Sequence, residues 1–275
     1  MKKSVKLLLF LAVSFFFLAF VSLFRLLWLI IRFRQQAIQA QLTQVWAKVL
    51  LSIIGIRVEK LFHHHHCHHD HFLIVSNHQS YLDIIVIASL FPTLFVAKKE
   101  VKQWPLLGWL ASLGGTVFVD RQAFRGGMNS AQEVAAVLRT NVSVNVFPEG
   151  TSSDGTTVFP FKPSLLKAAV ETKSVVLPLS INYLLVNGKP MSNGTRDRIC
   201  WYGAMEFVPH FLALLDVESV LAAVVTHRIV VPAADATAQE IALQCHDAVS
   251  AGLIRTDEVM PEQKILMREI PTAII

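Results

Sequence analysis

The hydrophobic pattern changes character twice along the chain. From Leu7 to Phe24, 18 residues run without a charge, and after Arg25 the sequence LLWLIIRFR continues the apolar stretch. At 1.5 Å per residue the uncharged part covers about 27 Å of helix, close to the hydrocarbon thickness of a bilayer. It is too long for a signal peptide, and no small-x-small cleavage site ends it, so it predicts a membrane anchor. Lys2, Lys3 and Lys6 precede the run and Arg25, Arg32 and Arg34 follow it, so flanking charge sets no orientation. A full span and a helix dipping into one leaflet both stay open. Over Ile38–Ile56 the pattern becomes amphipathic, with apolar residues at Ile38, Leu42, Val45, Trp46, Val49, Leu50 and Ile53 opposite a face of Gln and Lys. Gly55 offers a stop. This helix either lies on the bilayer surface or packs on the domain that follows.

From Arg57 onwards short apolar runs alternate with helical spacing. Strands are predicted over IRVEKLF, HFLIVSN, TLFVAKK, TVFVDR, VSVNVFPEG, VVLPLSINY, RICWYGAMEF and part of ESVLAAVVTHRIVV. Helices are predicted over SYLDIIVIASLF, WPLLGWLASLGG, Met128–Arg139, PSLLKAAVET and Thr237–Leu253. The alternation predicts an α/β fold, with a mixed, largely parallel sheet flanked by helices behind an N-terminal membrane-associated helical segment. The expected organisation is an anchor and interfacial helix over 1–55, a catalytic domain over 56–255 and a tail over 256–275.

Composition sharpens this. Apolar residues make up 53% of the 275 and the mean hydropathy is +0.49, above the range of most soluble domains. The net charge of +5 is spread out, with no Lys/Arg block of the kind that tracks a nucleic-acid backbone; it suits an anionic membrane surface better. Cys67, Cys200 and Cys245 give no disulfide framework, so reduced thiols and a cytoplasmic catalytic region are expected.

In α/β sheets reactive residues gather where a strand gives way to a helix, and three polar clusters fall at such points. In SNHQSYLD, His78 and Asp83 are five apart, which on one continuous helix would place them on different faces. A His78 in the turn before the helix can instead fold back towards Asp83, giving the His–Asp half of a catalytic triad; otherwise Ser76 or Asn77 caps a helix and His78 faces solvent. In VFPEGTSSDG a strand runs into Glu149 and Gly150, with Thr151 and further small hydroxyl residues behind them. This is either a simple strand-to-turn corner or a ligand loop, and it lacks the Walker spacing. GGTVFVDR ends in Asp120–Arg121, a surface ion pair or a grip for a phosphate.

Seven of the eleven histidines crowd into His63–His71. Cys67 and Asp70 interrupt the run, and its internal position argues against a purification tag. It reads as a loop ahead of the strand that delivers His78, able to bind Zn²⁺ or Ni²⁺ adventitiously. His210, His227 and His246 sit among apolar residues and read as structural.

NHQSYLD, GGTVFVDR, VFPEGTSSDG and VVLPLSI occur in that order across about 100 residues. Together they resemble the four motifs of the glycerolipid acyltransferase family, over roughly Ile56 to Pro232. The resemblance implies that His78 is the general base for the free hydroxyl of a lysolipid, and that Asp83 orients and polarises it. The hydroxyl would attack an acyl-carrier-protein or coenzyme A thioester directly, with no acyl-enzyme. An imidazole, of ordinary pKa about 6.5, suits that base at neutral pH. Glu149 and Gly150 would place the acceptor's polar end, Arg121 would bind its phosphate, Lys98 matches a lysine near the headgroup, and Thr151 is a weaker match. The resemblance implies no metal and no cofactor beyond the thioester co-substrate, and no nucleic-acid partner. It implies an enzyme at the membrane with its catalytic domain on the cytoplasmic face.

One position departs from the family pattern. Many phosphatidic-acid-forming members carry Arg after FPEGT, where this chain has Ser152. Lysophosphatidic acid stands first as the expected acceptor, narrowly, with lyso-ornithine lipid or another lysolipid as the alternative. A third reading is a metal-binding membrane protein on an inactive acyltransferase scaffold; intact His78, Asp83 and Glu149 count against it.

Overall fold

The computed structural model describes residues 1–28, 35–62, 71–120 and 130–254. Residues 63–70 of the histidine run, Arg121 and the tail over 256–275 lie outside these.

The two N-terminal helices, α1 (Lys3–Trp28) and α2 (Gln35–Ile54), run antiparallel. Lys6 meets the end of α2 through the Ile54 carbonyl, and Phe17 stacks on Trp46 at 5.1 Å. Both helices are long and apolar enough to cross a membrane by length and composition, but α2 is the more buried of the two. That difference decides between the two sequence readings of α2. Ala47, Leu50, Leu51 and Ile54 point into the core, so α2 packs on the domain, while α1 presents Leu8, Leu11, Phe15, Phe16 and Phe20 outwards. Gly55 stops α2 at φ +90°, where a Cβ would collide with the Glu218 carbonyl.

The sheet is built from β1 (Ile56–Phe62), β2 (Leu73–Ser76), β3 (Thr93–Lys98), β4 (Val117–Val119), β5 (Ser143–Val146), β6 (Val176–Val186), a two-residue β7 (Lys189–Pro190) and β8 (Val220–Thr226). Its order is β1-β8-β6-β2-β5-β3-β4, with β7 paired to β6. The run from β6 through β2, β5 and β3 to β4 is parallel, while β8 pairs antiparallel with β6 and parallel with β1. The sheet is therefore mixed and mostly parallel, as expected. Its strands carry nearly continuous apolar runs because both faces are covered. Ile74, Leu177 and Leu179 face one core with α2, α3 (Leu82–Leu90) and α8 (Phe207–Leu214). Leu73, Val75, Val144 and Val146 face the other, with α5 (Ser130–Leu138), α6 (Lys167–Thr172) and α9 (Ala238–Ala251). Between these lie α4 (Leu107–Leu113) and the single turn α7 (Asn193–Arg196).

Two sequence expectations are corrected. RICWYGAMEF is not a strand: the Trp201 N–H donates to the Gln79 carbonyl rather than to a neighbouring strand, Gly203 turns at φ +62°, and Phe207 opens α8. The apolar side chains there, Ile199 and Cys200, are fully buried, but from a loop. PSLLKAAVET is helical only over α6, because the Pro163 carbonyl serves a turn before the regular helix begins.

Candidate active site

Four adjacent parallel strands bring the sequence motifs together. β2, β5, β3 and β4 lie side by side in one direction, so the residues that end or follow them emerge along one edge. These are Asn77–His78 after β2, Phe147–Glu149 after β5, Lys98 closing β3 and Asp120 after β4. Crossover connections with this parallel register are what turn a dispersed set of motifs into a site.

His78 sits in the turn before α3, and Asp83 lies in the first turn of α3. His78 Nδ1 is 2.8 Å from Asp83 Oδ2. Asp83 is fully buried, and the same oxygen accepts from the N–H groups of Gln79 at 2.6 Å and Ser80 at 2.9 Å. An ionised carboxylate accepts only, so Nδ1 carries the hydrogen and Nε2 keeps its lone pair. Among the described residues Nε2 has no hydrogen-bond partner. The His78 side chain is 19% exposed, and its ring stacks on Phe147 with centroids 4.0 Å apart and an interplanar angle of 17°. The arrangement is an oriented imidazole with its basic nitrogen open. Ser76 and Asn77 do not cap α3: Asn77 exchanges two hydrogen bonds with the backbone of Ile181 on β6.

The FPEG turn clamps the main chain of His78. Glu149, 2% exposed, accepts from the His78 N–H through Oε1 at 2.7 Å and from the Phe159 N–H through Oε2 at 2.8 Å. The His78 carbonyl accepts from the Ser153 N–H at 2.9 Å. Burial pushes the Glu149 carboxyl up to about 7, against the pull of those two N–H donors, and the charge of Asp83 adds to the rise. Gly150 closes the turn at φ +77°, its N–H donating to the Phe147 carbonyl at 3.1 Å. Thr151 is exposed at the edge of the turn, and Lys98 is exposed at the end of β3.

Of the residues singled out in the sequence, His78, Asp83 and Glu149 form one hydrogen-bonded unit, Gly150 closes the turn that carries Glu149, Thr151 follows that turn, and Lys98 ends β3 two strands from β2. Glu149 turns both oxygens inwards onto backbone rather than towards an acceptor. Arg121 is outside the described residues. The sequence reading missed Tyr183, whose hydroxyl donates to Asp83 Oδ1 at 2.7 Å; burial and then the charge of Asp83 push the phenol well above its ordinary pKa. No sequence signal pointed to it, because it is 100 residues from Asp83. The structural reading of the three later histidines is supported by their contacts. His210 bonds the Tyr81 hydroxyl and the Cys200 carbonyl, His227 bonds Ser180, and His246 lies against Asp247 and the Val158 carbonyl.

The site is an α/β sheet with a buried Asp orienting an open imidazole at its carboxyl edge. Comparison with known proteins narrows the class. A family profile described as Acyltransferase matches residues 56–182. A lyso-ornithine lipid O-acyltransferase from Brucella abortus is 33% identical over 183 residues, 64% of this chain and 67% of that protein. A 1-acyl-sn-glycerol-3-phosphate acyltransferase from Neisseria gonorrhoeae is 34% identical over 122 residues, 44% of this chain and 48% of that protein. The crystal structure of the 1-acyl-sn-glycerophosphate (LPA) acyltransferase from Thermotoga maritima shares the fold. Its TM-score is 0.57 at 21% identity, covering 90% of this chain and 95% of that one. The chain belongs to the lysophospholipid acyltransferase family. It spans about half to two thirds of the length of the curated relatives it matches.

Proposed function

We propose that the protein is a membrane-associated O-acyltransferase that moves a fatty acyl chain from a soluble thioester, acyl carrier protein or coenzyme A, to the free hydroxyl of a lysolipid. The observation that carries this is the His78–Asp83 contact with Nε2 left open. In the reaction, Nε2 takes the proton of the acceptor hydroxyl as the oxygen attacks the thioester carbonyl. The tetrahedral intermediate then collapses, the C–S bond breaks, and the imidazolium returns its proton to the departing thiolate. Asp83 holds the imidazole tautomer and stabilises the transient cation. Glu149 and Ser153 hold the His78 main chain, while by the resemblance Lys98, Arg121 and Thr151 would serve the acceptor's polar end. The exposed apolar face of α1 supports a place at the bilayer, where lysolipid and product reside; the resemblance adds the cytoplasmic face.

For the acceptor, a lyso-ornithine lipid is the reading with most support. The relative of that name aligns over 183 residues against 122 for the phosphatidic-acid-forming one, and Ser152 stands where many phosphatidic-acid formers carry Arg. Lysophosphatidic acid is the second reading, supported by Lys98 together with Arg121.

The test is to incubate membranes carrying wild type or His78→Ala with each acyl donor and a panel of lysolipids, and to identify products by mass. A His78-dependent acylated ornithine lipid supports the first acceptor and phosphatidic acid the second. Absence of any acylated product from folded protein would sink the proposal. Activity that survives replacement of the His63–His71 run but not of His78 would set aside the metal-binding reading.

A further inference from the structure

Asp83 is held at both oxygens, at one from its own turn and at the other from β6. Oδ2 takes three donors, His78 Nδ1–H, Gln79 N–H and Ser80 N–H, all from its own turn. A carboxylate gripped at one oxygen can still rotate about that grip, carrying its lone pairs out of line with the imidazole. The second oxygen is fixed from β6, where the Tyr183 hydroxyl lies 2.7 Å from Oδ1. Tyr183 is 4% exposed and Asp83 fully buried, so water does not stand in for that donor. β6 is itself locked to the turn of His78, since Asn77 and Gln79 both bond the Ile181 backbone.

We propose that Tyr183 is a positioning residue for acyl transfer, its hydroxyl fixing the plane of the Asp83 carboxylate and drawing charge from it, in a Tyr183–Asp83–His78 relay. This rests on the reading of His78 as the base. The phenol acts in two ways. It restricts Asp83 to the rotamer that serves Nδ1, and by drawing charge from the carboxylate it tempers the pull of Asp83 on the imidazole. The titratable groups around the pair are His78 and Tyr81 from the segment before α3, Glu149 from the turn after β5, and Cys200 from the loop before α8.

Tyr183→Phe keeps the ring and removes the one donor to Oδ1 among the described residues. A hydrogen bond to a charged group is strong enough that its loss lowers kcat by about tenfold, with KM for either substrate nearly unchanged. The uncompensated carboxylate grips the imidazolium harder, so the acid limb of the kcat/KM profile moves to higher pH by about one unit. Because Glu149 also titrates near neutrality, the His78 ring is followed separately by NMR, its signals assigned by their loss in His78→Ala. The expected result is a ring titration midpoint raised in Tyr183→Phe. Incorporation of 3-fluorotyrosine at position 183, a stronger donor with the same packing, shifts the midpoint and the acid limb downwards, and it serves where Tyr183→Phe folds poorly. A slower enzyme with unmoved pH profile and unmoved ring titration in both variants would reduce Tyr183 to a packing residue and overturn the proposal. If wild type acylates no lysolipid, the acyltransferase reading fails, and the ring titrations still decide whether Tyr183 acts on His78 through Asp83.

Discussion

Glu149 reaches His78 through its backbone: Oε1 accepts the His78 N–H at 2.7 Å, while Oε2 accepts the Phe159 N–H at 2.8 Å. The acid of the FPEG motif thus joins the turn after β5 to the turn after β2. Two motifs some 70 residues apart in sequence become one rigid unit.

That arrangement predicts the behaviour of Glu149→Gln. A carboxylate accepts at both oxygens, whereas an amide presents one acceptor and one donor, so one of the two N–H groups would face an NH₂. We expect a loss of about 2 kcal/mol in stability and at least a tenfold fall in acyl transfer, measured by denaturant unfolding and initial rates.

Glu149 also gives stability a pH dependence. Its folded carboxyl sits at about 7 against an ordinary 4.5, so between these values the unfolded chain has released a proton that the folded one keeps. The contribution is fully present below the ordinary value and is lost as pH rises through about 7, with a magnitude on the order of a few kcal/mol. Unfolding followed across that window should show wild type losing this contribution and Glu149→Gln lacking it. Parallel slopes for the two proteins would contradict the assignment.

The dyad itself should be separable into chemistry and structure. His78→Ala removes the proposed base and should lower acyl transfer by about a thousandfold or more, with a loss of about 1–3 kcal/mol in stability because buried Asp83 loses a donor. Asp83→Asn should also lower it, because the neutral amide no longer stabilises the imidazolium, and should cost less stability than removal of the side chain, since its oxygen can keep the Gln79 and Ser80 N–H groups while its NH₂ donates to the Tyr183 hydroxyl. Rates and melting temperatures of both variants check this.

The N-terminal helical hairpin is tied to the domain by a buried lysine. Lys6 is 2% exposed and its ammonium donates to the Ile54 carbonyl at 2.8 Å and the Val217 carbonyl at 2.6 Å. These carbonyls close α2 and the segment just beyond α8. Lys6→Ala should cost about 2–3 kcal/mol through the carbonyls left unpaired, whereas Lys3→Ala, which breaks the exposed pair with Asp216, should cost under about 1 kcal/mol. Both variants should partition into liposomes like wild type, because the exposed apolar face of α1 is unchanged.

Gly55→Ala tests the corner between hairpin and sheet. The backbone there is at φ +90°, and a methyl group would strike the Glu218 carbonyl. Strain and collision together should cost about 2 kcal/mol or more, seen as a lower melting temperature, with residual folded protein retaining its kcat.

Much of this was legible in the chain. Apolar runs ending in NH, FPEG and DR marked strands whose carboxyl ends carry polar residues, and the five-residue spacing of His78 and Asp83 worked once Leu82 opened the helix. Gly55 announced the end of α2. Less legible was RICWYGAMEF, whose buried residues read as a strand because burial from a loop and burial from a sheet leave the same apolar signature. Nor could spacing show which way Glu149 faces, since a carboxylate at the end of a strand serves a ligand or a backbone equally well.

The sequence by itself determined the α/β class, the two apolar N-terminal helices and the motif set that holds His78 and Asp83, because local periodicity and residue chemistry are properties of neighbours along the chain. Tertiary structure decided what the long-range contacts alone can decide. It packed α2 on the domain, buried Lys6 between two helix ends and turned Glu149 onto the backbone of His78. It also brought Tyr183 to Asp83 across 100 residues. The parallel register of β6, β2 and β5 fixes those meetings, and no stretch of the chain carries that register on its own.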